Sequence, residues 1–134
     1  MSDGSGRVEI RSETDILQTR QQARNAAEQI GFDTTDITRI VTAVSELARN
    51  VHLYAGEGTM KWRQITDNDQ TGLTFIFEDN GPGIEDPDAA LNGEFSTSDG
   101  LGRGLSGTQT LMDAMEIETE QGEGTTVMVK KWRS

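Results

Sequence analysis

The spacing of apolar residues changes along this chain, and the order of the changes restricts the folds that it can adopt. From Ile37 to Val51, apolar residues recur at positions i, i+3, i+4 and i+7, which predicts an amphipathic helix. A weaker helical pattern precedes it, beginning at Ser12 and ending at Gly31. The β-rich run Leu73–Phe77 is instead typical of a buried strand. Two successive helices followed by strands do not fit a regular alternation of strands and helices.

Short apolar or alternating runs predict the remaining elements and give the order β-α-α-β-β-loop-α-β-β. The second helix has Thr34, Thr35 or Asp36 as its N-cap, and its pattern fades at Tyr54. The polar segment Asp67–Gly72 predicts a turn. The other predicted strands are Val8–Arg11, Met60–Ile65, Met115–Glu120 and Thr125–Trp132, and the last predicted helix is Leu105–Met115.

This element order indicates a fold class. Consecutive strands joined by short turns favour antiparallel pairing, and helices that come in pairs favour a helical layer on one face of a sheet. We therefore predict an α+β fold, a two-layer α/β sandwich with a mixed, mostly antiparallel sheet. A doubly wound parallel sheet would need strict strand–helix alternation, which is absent. The length of 134 residues fits a single domain, residues 1–134, of which we expect residues 1–6 to be disordered.

Composition excludes several classes of function. The chain has 23 acidic and 12 basic side chains and a net charge of −11, which opposes general binding to nucleic acid or to an anionic membrane. It has no cysteine and one histidine, so thiol catalysis and thiolate-rich or histidine-rich metal sites are excluded. No apolar run approaches the length of a membrane span and Met1–Gly6 does not resemble a signal peptide, so we expect a soluble cytoplasmic protein.

Two short motifs suggest binding sites that their context does not support. Asp67–Gly72 followed by Glu78 approximates a calcium-binding loop, but such a loop needs a helix on each side, and strands are predicted here. Gly102–Gly107 matches the dinucleotide-binding pattern G-x-G-x-x-G, yet the preceding Phe95–Asp99 is not an apolar strand. The phosphate-binding pattern G-x-x-x-x-G-K-[S/T] is absent. We therefore expect a solvated hairpin turn at Asp67–Gly72 rather than a calcium site.

Four other features carry candidate chemistry, and each also has an ordinary structural interpretation. Glu46 and Asn50 lie at i and i+4 on one face of the second helix, as residues of a solvated face also do. Asp79 directly follows a buried strand, and Gly81 and Gly83 beside it either allow a ligand to approach the backbone or simply form a turn. The remaining two features are Gly100–Gly107, a glycine-rich loop that opens onto a helix as anion sites do, and the hairpin turn Gly122–Thr125.

In this order along the chain, the four features resemble the sequence boxes of the GHKL superfamily of ATPases and kinases. Glu46–Asn50 is similar to its N box, Asp79–Gly83 to its first glycine box, Gly100–Gly107 to its second, and Gly122–Thr125 to its final glycine/threonine element. Within the superfamily, the chain most resembles the RsbT-type serine/threonine switch kinases of bacterial stress signalling. The phrases that carry this closer resemblance are Val44–Asn50, Tyr54–Gly56, Glu78–Ile84, Phe95–Ser98 and Lys131–Trp132.

The resemblance implies a Bergerat ATP-binding fold with ATP and Mg²⁺ as ligands. Asp79 would accept a hydrogen bond from the adenine amino group, Asn50 would ligate the Mg²⁺ that bridges the phosphates, and Glu46 would be the general base. The other residues implied to contact the nucleotide are Gly81, Gly83 and Thr125 near the base, and Gly100, Leu101, Gly102, Arg103, Gly104 and Leu105 in a flexible ATP lid expected over Asp86–Gly107.

The function implied by the resemblance is ATP-dependent phosphorylation of a serine or threonine on a STAS-domain antagonist protein. In this pattern the kinase is held in a large sensory complex, and once released it activates a PP2C-type phosphatase. Two alternatives remain open: an anti-sigma-factor kinase that binds and inhibits a sigma factor, and a non-catalytic, nucleotide-gated binding module. No nucleic-acid or membrane partner is expected.

Overall fold

A five-stranded sheet with helices packed against one face forms the fold, which confirms the expected α+β sandwich. The computed structural model describes residues 4–81, 105–120 and 122–133. The strands are β1 (Ser5–Ile10), β2 (Gly58–Asp67), β3 (Gln70–Asp79), β4 (Ala114–Glu120) and β5 (Gly124–Trp132). The helices are α1 (Glu13–Gln29), α2 (Thr34–Asn50), a short π-helix (Val51–Ala55) that directly follows α2, and α3 (Leu105–Leu111).

The strand order is β1-β2-β3-β5-β4, and all four pairings are antiparallel. The parallel pair that a mixed sheet requires is therefore absent from the part of the chain that the structure describes, and this detail of the predicted sheet is wrong. The physical reason is that the final hairpin joins the sheet through β5, which lies between β3 and β4. This position makes β5 antiparallel both to β3 and to β4.

The core lies between the sheet and the helices. One cross-strand row on the covered face contains Val8, Met60, Phe77, Val127 and Ile117, in register across all five strands. The first four are at most 7% exposed, and Ile117 packs against them. Because burial of apolar surface drives the packing, this row fixes which side chains of each strand face the helices. The side chains that α2 and the π-helix add to the core are Ile37, Ile40, Val41, Ala43, Val44, Leu47, Ala48 and Val51.

The start of α2 differs by one residue from the prediction, since its N-cap is Asp33 rather than Thr34, Thr35 or Asp36. The Oδ1 atom of Asp33 accepts a hydrogen bond from the backbone N–H of Asp36 at 2.8 Å. Phe32 and Ile37 occupy the two positions of a hydrophobic staple around this cap, and both are buried in the core. Burial of Phe32 thus places Asp33 at the cap.

Replacing Asp33 with Ala is expected to lower the free energy of unfolding by about 1 kcal/mol, because the N–H of Asp36 loses its acceptor. Denaturant unfolding measures the change. Ser12→Ala is the matched control, since Ser12 is the N-cap of α1 but its side chain makes no capping hydrogen bond. We expect that variant to change stability by less than about 0.5 kcal/mol. Equal losses in the two variants would contradict the capping role.

The turn between β2 and β3 confirms the hairpin and not the calcium loop. Asp67 pairs with Gln70 across a two-residue turn of Asn68 and Asp69. These two residues have φ values of 49° and 69°, the conformation that short hairpin turns need and that Asn and Asp tolerate. Strands therefore flank the acidic segment on both sides.

The last helix is shorter than predicted, because α3 ends at Leu111 and Met115 already lies in β4. Asp113 explains the difference. Its backbone N–H donates to the carbonyl of Lys130 at 2.9 Å, and its Oδ2 atom accepts from the N–H of Trp132 at 2.7 Å. These bonds to β5 draw the chain into the sheet before the helical pattern ends.

The first strand begins earlier than predicted, at Ser5 rather than at Val8. Ser5 and Gly6 therefore lie in the sheet, although we expected residues 1–6 to be disordered; residues 1–3 are outside the described part of the chain. Gly6 pairs with Trp62, whose indole N–H donates to Gln22 at 2.8 Å. A Cβ atom on Gly6 would come within 2.7 Å of the Trp62 ring, so the absence of a side chain makes room for the indole.

Candidate functional site

The candidate site lies at one end of the sheet, where a polar row follows the apolar row of the core. Gly58, Asp79, Thr125 and Thr119 are in register across β2, β3, β5 and β4. Because side chains alternate along a strand, Asp79 faces the same side as Phe77, toward the helices. The site therefore presents a carboxylate and two hydroxyl groups at the edge of the hydrophobic core.

The carboxylate of Asp79 is held by the turn that follows β3. Its Oδ1 atom accepts a hydrogen bond from the backbone N–H of Gly81 at 2.9 Å. Gly81 itself packs against the π-helix, where a Cβ atom would come within 2.6 Å of the Cβ of Ala55. This arrangement orients the carboxylate and leaves its Oδ2 atom without a hydrogen bond to any described residue.

Gly124 supports Asp79 from the neighbouring strand. Its φ is +118°, and a Cβ atom there would overlap the carbonyl oxygen of Asp79 and lie 2.9 Å from the Cα of Asn80. Beside it, the hydroxyl groups of Thr125 and Thr119 are 3.1 Å apart, and that of Thr119 donates to the carbonyl of Gly124 at 3.1 Å. Close backbone contact and this hydroxyl pair set the position of Thr125 relative to Asp79.

The last turn of α2 brings Asn50 to the same place. Asn50, Asp79, Thr125 and Leu105 line one small cavity of about 20 Å³, whose apolar walls are Leu47, Val51, Phe77 and Val127. Asn50 is half-buried and is the last residue of α2 before the π-helix. Single π-helical turns occur frequently at functional sites. The structure thus collects residues from α2, β3, α3 and β5 around one point.

Glu46 lies one helical turn before Asn50 in α2. It is half-exposed, and its Oε1 atom forms an ion pair with the guanidinium of Arg49 at 3.2 Å. Glu46 and Asn50 therefore share a helix face, as the spacing predicted, but Glu46 does not line the cavity.

Only some of the residues that the sequence assigns to nucleotide contacts and to the lid are among those that the structure describes. Gly83, Gly100, Leu101, Gly102, Arg103 and Gly104 lie outside the described residues, as does most of the expected lid over Asp86–Gly107. Leu105 is described, and it begins α3. Its side chain is 1% exposed and lines the same cavity as Asn50.

Two larger cavities also include Asp79 in their lining, with volumes of about 470 and 630 Å³. Carboxylates line both of them: Glu9, Glu57 and Glu78 the first, and Glu78, Glu118 and Glu123 the second. A hydrogen bond from Arg7, with a further one from Thr59, holds the pKa of Glu9 below its usual range, which favours its charged form. Carboxylates outnumber the one guanidinium, that of Arg11 in the first cavity, so both linings repel a polyphosphate. The small cavity beside Asn50 contains a single carboxylate, that of Asp79, and is the better candidate for a phosphorylated ligand.

Metal binding by protein groups alone finds no support. Within residues 4–81, 105–120 and 122–133, no cluster of three or more His, Cys, Asp or Glu side chains could hold a metal ion. Asn50 provides a single amide oxygen, which suits an ion that takes its other ligands from phosphates and water.

Among the described residues, no helix combines the length and the apolar character of a membrane span.

Sequence reasoning missed three residues of the site. Thr119 could have been found from the register of the predicted final hairpin, which places it opposite Thr125. Ala55, which packs on Gly81, and Arg49, which pairs with Glu46, carried no signal of their own. Their contributions depend on contacts that short motifs do not specify.

Comparison with known proteins agrees with this geometry. Residues 11–131 match the family model of the histidine kinase-like ATPase domain. The chain is 48% identical over 125 residues to the serine/threonine-protein kinase RsbT of Bacillus subtilis, covering 93% of this chain and 94% of that protein. It is 34% identical over 102 residues to the anti-sigma F factor of Clostridium kluyveri, covering 72% of this chain and 70% of that protein.

A solved structure supports the fold. The chain superposes on the crystal structure of the RsbU and RsbW domains of a Mycobacterium tuberculosis protein with a TM-score of 0.60 and 20% sequence identity. The match covers 96% of this chain but 32% of that longer chain, so this chain corresponds to about a third of it. At this identity the similarity concerns the architecture of the sheet and helices.

Proposed function

Because the chain belongs to the histidine kinase-like ATPase family, we propose that it is an ATP-dependent serine/threonine protein kinase that acts in partner switching. One observation carries the proposal: Asp79, Asn50 and Thr125 meet at a single cavity between the end of the sheet and α2. The similarity to a serine/threonine-protein kinase over 93% of the chain supports the reaction type.

Adenine recognition rests on Asp79. Its Oδ1 atom is engaged by the N–H of Gly81, so its Oδ2 atom is available to accept a hydrogen bond from the adenine amino group. The hydroxyl of Thr125 lies in the adjacent strand, and the apolar walls of the cavity suit the faces of a flat base. Small-molecule sites usually enclose ~300–1,000 Å³, so the walls, Leu105 among them, must move apart before adenine enters.

The phosphates would extend from the base toward Asn50 and the start of α3. We assign the amide oxygen of Asn50 as a ligand of Mg²⁺, which would neutralise phosphate charge when bound. Backbone N–H groups of Gly100, Leu101, Gly102, Arg103 and Gly104 are proposed to wrap the phosphates. A chain with a net charge of −11 needs such local donors, because its overall field repels a polyphosphate.

Glu46 is proposed as the general base. The oxygen of the substrate hydroxyl forms a bond to the γ-phosphorus, and its proton passes to the carboxylate of Glu46. The bond between the γ-phosphorus and the β–γ bridging oxygen breaks, and ADP leaves with that electron pair. The position of Glu46, one turn from Asn50 and accessible from solvent, suits a group that meets an incoming protein substrate.

The proposed substrate is a serine or threonine of a STAS-domain antagonist protein, and the proposed downstream partner is a PP2C-type phosphatase. A phosphate placed at a packed interface causes release through repulsion and desolvation, which provides the switch. A second candidate function, an anti-sigma-factor kinase, is favoured by the 34% identity to an anti-sigma F factor. Retention of a sigma factor on the immobilised protein, in the presence of ATP, would favour this second function.

Replacing Asp79 with Asn is expected to weaken ATP binding by about 10- to 150-fold, because a charged hydrogen bond worth roughly 1.5–3 kcal/mol is lost. Titration calorimetry with ATP and Mg²⁺ measures the effect. Asp33→Asn is the control, since it removes one negative charge at a helix cap where Asn serves equally well. Wild-type affinity in Asp79→Asn would contradict the adenine assignment.

Transfer of labelled phosphate from ATP to a STAS-domain protein tests the kinase activity directly.

A further inference from the structure

Arg49 lies between the two proposed functional residues of α2, Glu46 and Asn50. We infer that Arg49 is a positioning residue for Glu46, whose carboxylate it holds in the orientation needed to accept the proton of the substrate hydroxyl. This inference rests on the proposed function of Glu46 as a general base. It adds a role for a residue that the cavity lining does not include.

The geometry of the pair supports this role. The Nη1 atom of Arg49 donates to the Oε1 atom of Glu46 at 3.2 Å, across the i, i+3 spacing of the helix. Since one carboxylate oxygen is engaged, the other is left to face an incoming hydroxyl. A guanidinium one turn along the helix thereby favours one rotamer of a side chain that otherwise turns into solvent.

Negative charge around Glu46 explains why its carboxylate needs a cation beside it. The chain has a net charge of −11, and the proposed ligand is a polyphosphate bound one turn away, at Asn50. Both repel the carboxylate of Glu46 and would turn it away from the γ-phosphate. Arg49 is the one ion-pair partner of Glu46 in the described part of the chain, so it supplies the compensating charge.

The contribution of this pair to folding stability is expected to be small, because both side chains are about half exposed. The exposed fractions are 52% for Arg49 and 41% for Glu46, and exposed pairs in water contribute little. A role in folding alone thus predicts no change in catalysis when Arg49 is removed. A positioning role predicts a lower kcat with an intact fold and intact ATP binding.

The same helix contains a matched control. Arg39 pairs with Asp36 at 3.0 Å, with the same i, i+3 spacing and a similarly exposed guanidinium. This second pair lies in the first turns of α2, at the end of the helix opposite to Asn50. Arg39→Ala therefore removes a similarly exposed guanidinium from an i, i+3 pair of the same helix without touching the proposed site. Its partner Asp36 is 11% exposed and keeps Lys131 as a second cationic partner at 3.8 Å.

The experiment compares Arg49→Ala, Arg49→Lys and Arg39→Ala. For each variant, kcat and KM for ATP are measured in phosphate transfer from ATP to a STAS-domain protein. The Kd of ATP is measured by calorimetry, and the midpoint of denaturant unfolding is recorded. Misplacement of a reacting group by about 1 Å can cost ~10²-fold in rate. We expect Arg49→Ala to lower kcat on the order of 10-fold and to change the Kd of ATP by less than about twofold. In Arg49→Lys we expect part of the kcat to be retained, because Lys keeps the positive charge. Arg39→Ala should retain the wild-type kcat.

Glu46→Gln and the double variant Glu46→Gln/Arg49→Ala separate this inference from the proposed function. If Arg49 acts through Glu46, the double variant loses no more activity than Glu46→Gln alone. An unchanged kcat in Arg49→Ala, a loss of ATP binding there, or additive losses in the double variant would each overturn the positioning role. Full activity in Glu46→Gln would overturn the proposed general base, and the inference about Arg49 with it.

Discussion

Phosphate transfer is expected to fall by about 10²–10⁴-fold when Glu46 is replaced with Gln, while ATP and Mg²⁺ still bind. The amide keeps the size and much of the shape of the carboxylate but does not accept the proton of the substrate hydroxyl. Glu46 lies outside the cavity formed by Asn50, Asp79 and Thr125, so its loss removes no expected contact with the base. Single-turnover transfer of labelled phosphate and calorimetric titration with ATP measure the two effects separately.

Asn50→Ala provides the opposite result for comparison. Asn50 lines the cavity, and its amide oxygen is the proposed ligand of Mg²⁺. We therefore expect this variant to weaken nucleotide binding in the presence of Mg²⁺, and to weaken it less when Mg²⁺ is chelated. Equal loss of nucleotide binding in Glu46→Gln and Asn50→Ala would contradict the division of roles between these two residues.

Replacing Gly124 with Ala is expected to lower the free energy of unfolding by about 2–6 kcal/mol, the sum of backbone strain of about 1–3 kcal/mol and overpacking of about 1–3 kcal/mol. Gly124 has a φ of +118°, and its missing side chain leaves room for the carbonyl of Asp79 and for Asn80. The variant that folds is also expected to bind ATP more weakly, because the displaced backbone includes Asp79. Denaturant unfolding and ATP titration measure the two effects.

Gly122→Ala is the control for the conformational part of this loss. Gly122 also has a positive φ, +83°, but among the described residues other than its chain neighbours no atom lies within 4 Å of its Cβ position. We expect this variant to lose about 1–2 kcal/mol from the left-handed backbone alone and to bind ATP as the wild type does. If both glycine variants behave alike, the contact between Gly124 and Asp79 does not support the site.

The sequence predicted the elements well where a single strong pattern controls them. The apolar period from Ile37 to Val51 marked α2 and most of its core face, and Asp67–Gly72 marked the β2–β3 turn. Boundaries were less accurate where a tertiary contact competes with the local pattern. Asp113 shows this, because its bonds to β5 end the α3 region before the helical spacing does.

By itself, the sequence determined the fold class and the types of residue that carry the proposed chemistry, because hydrophobic periodicity and motif order are local properties. Only the tertiary structure decided that Asp79, Asn50 and Thr125 share one cavity, since strand register and helix packing bring together residues that are distant along the chain. It also decided that Gly124 makes room for the backbone at Asp79, and that Arg49 holds Glu46. These contacts depend on distances and side-chain rotamers, which follow from how the core packs and which no short motif encodes.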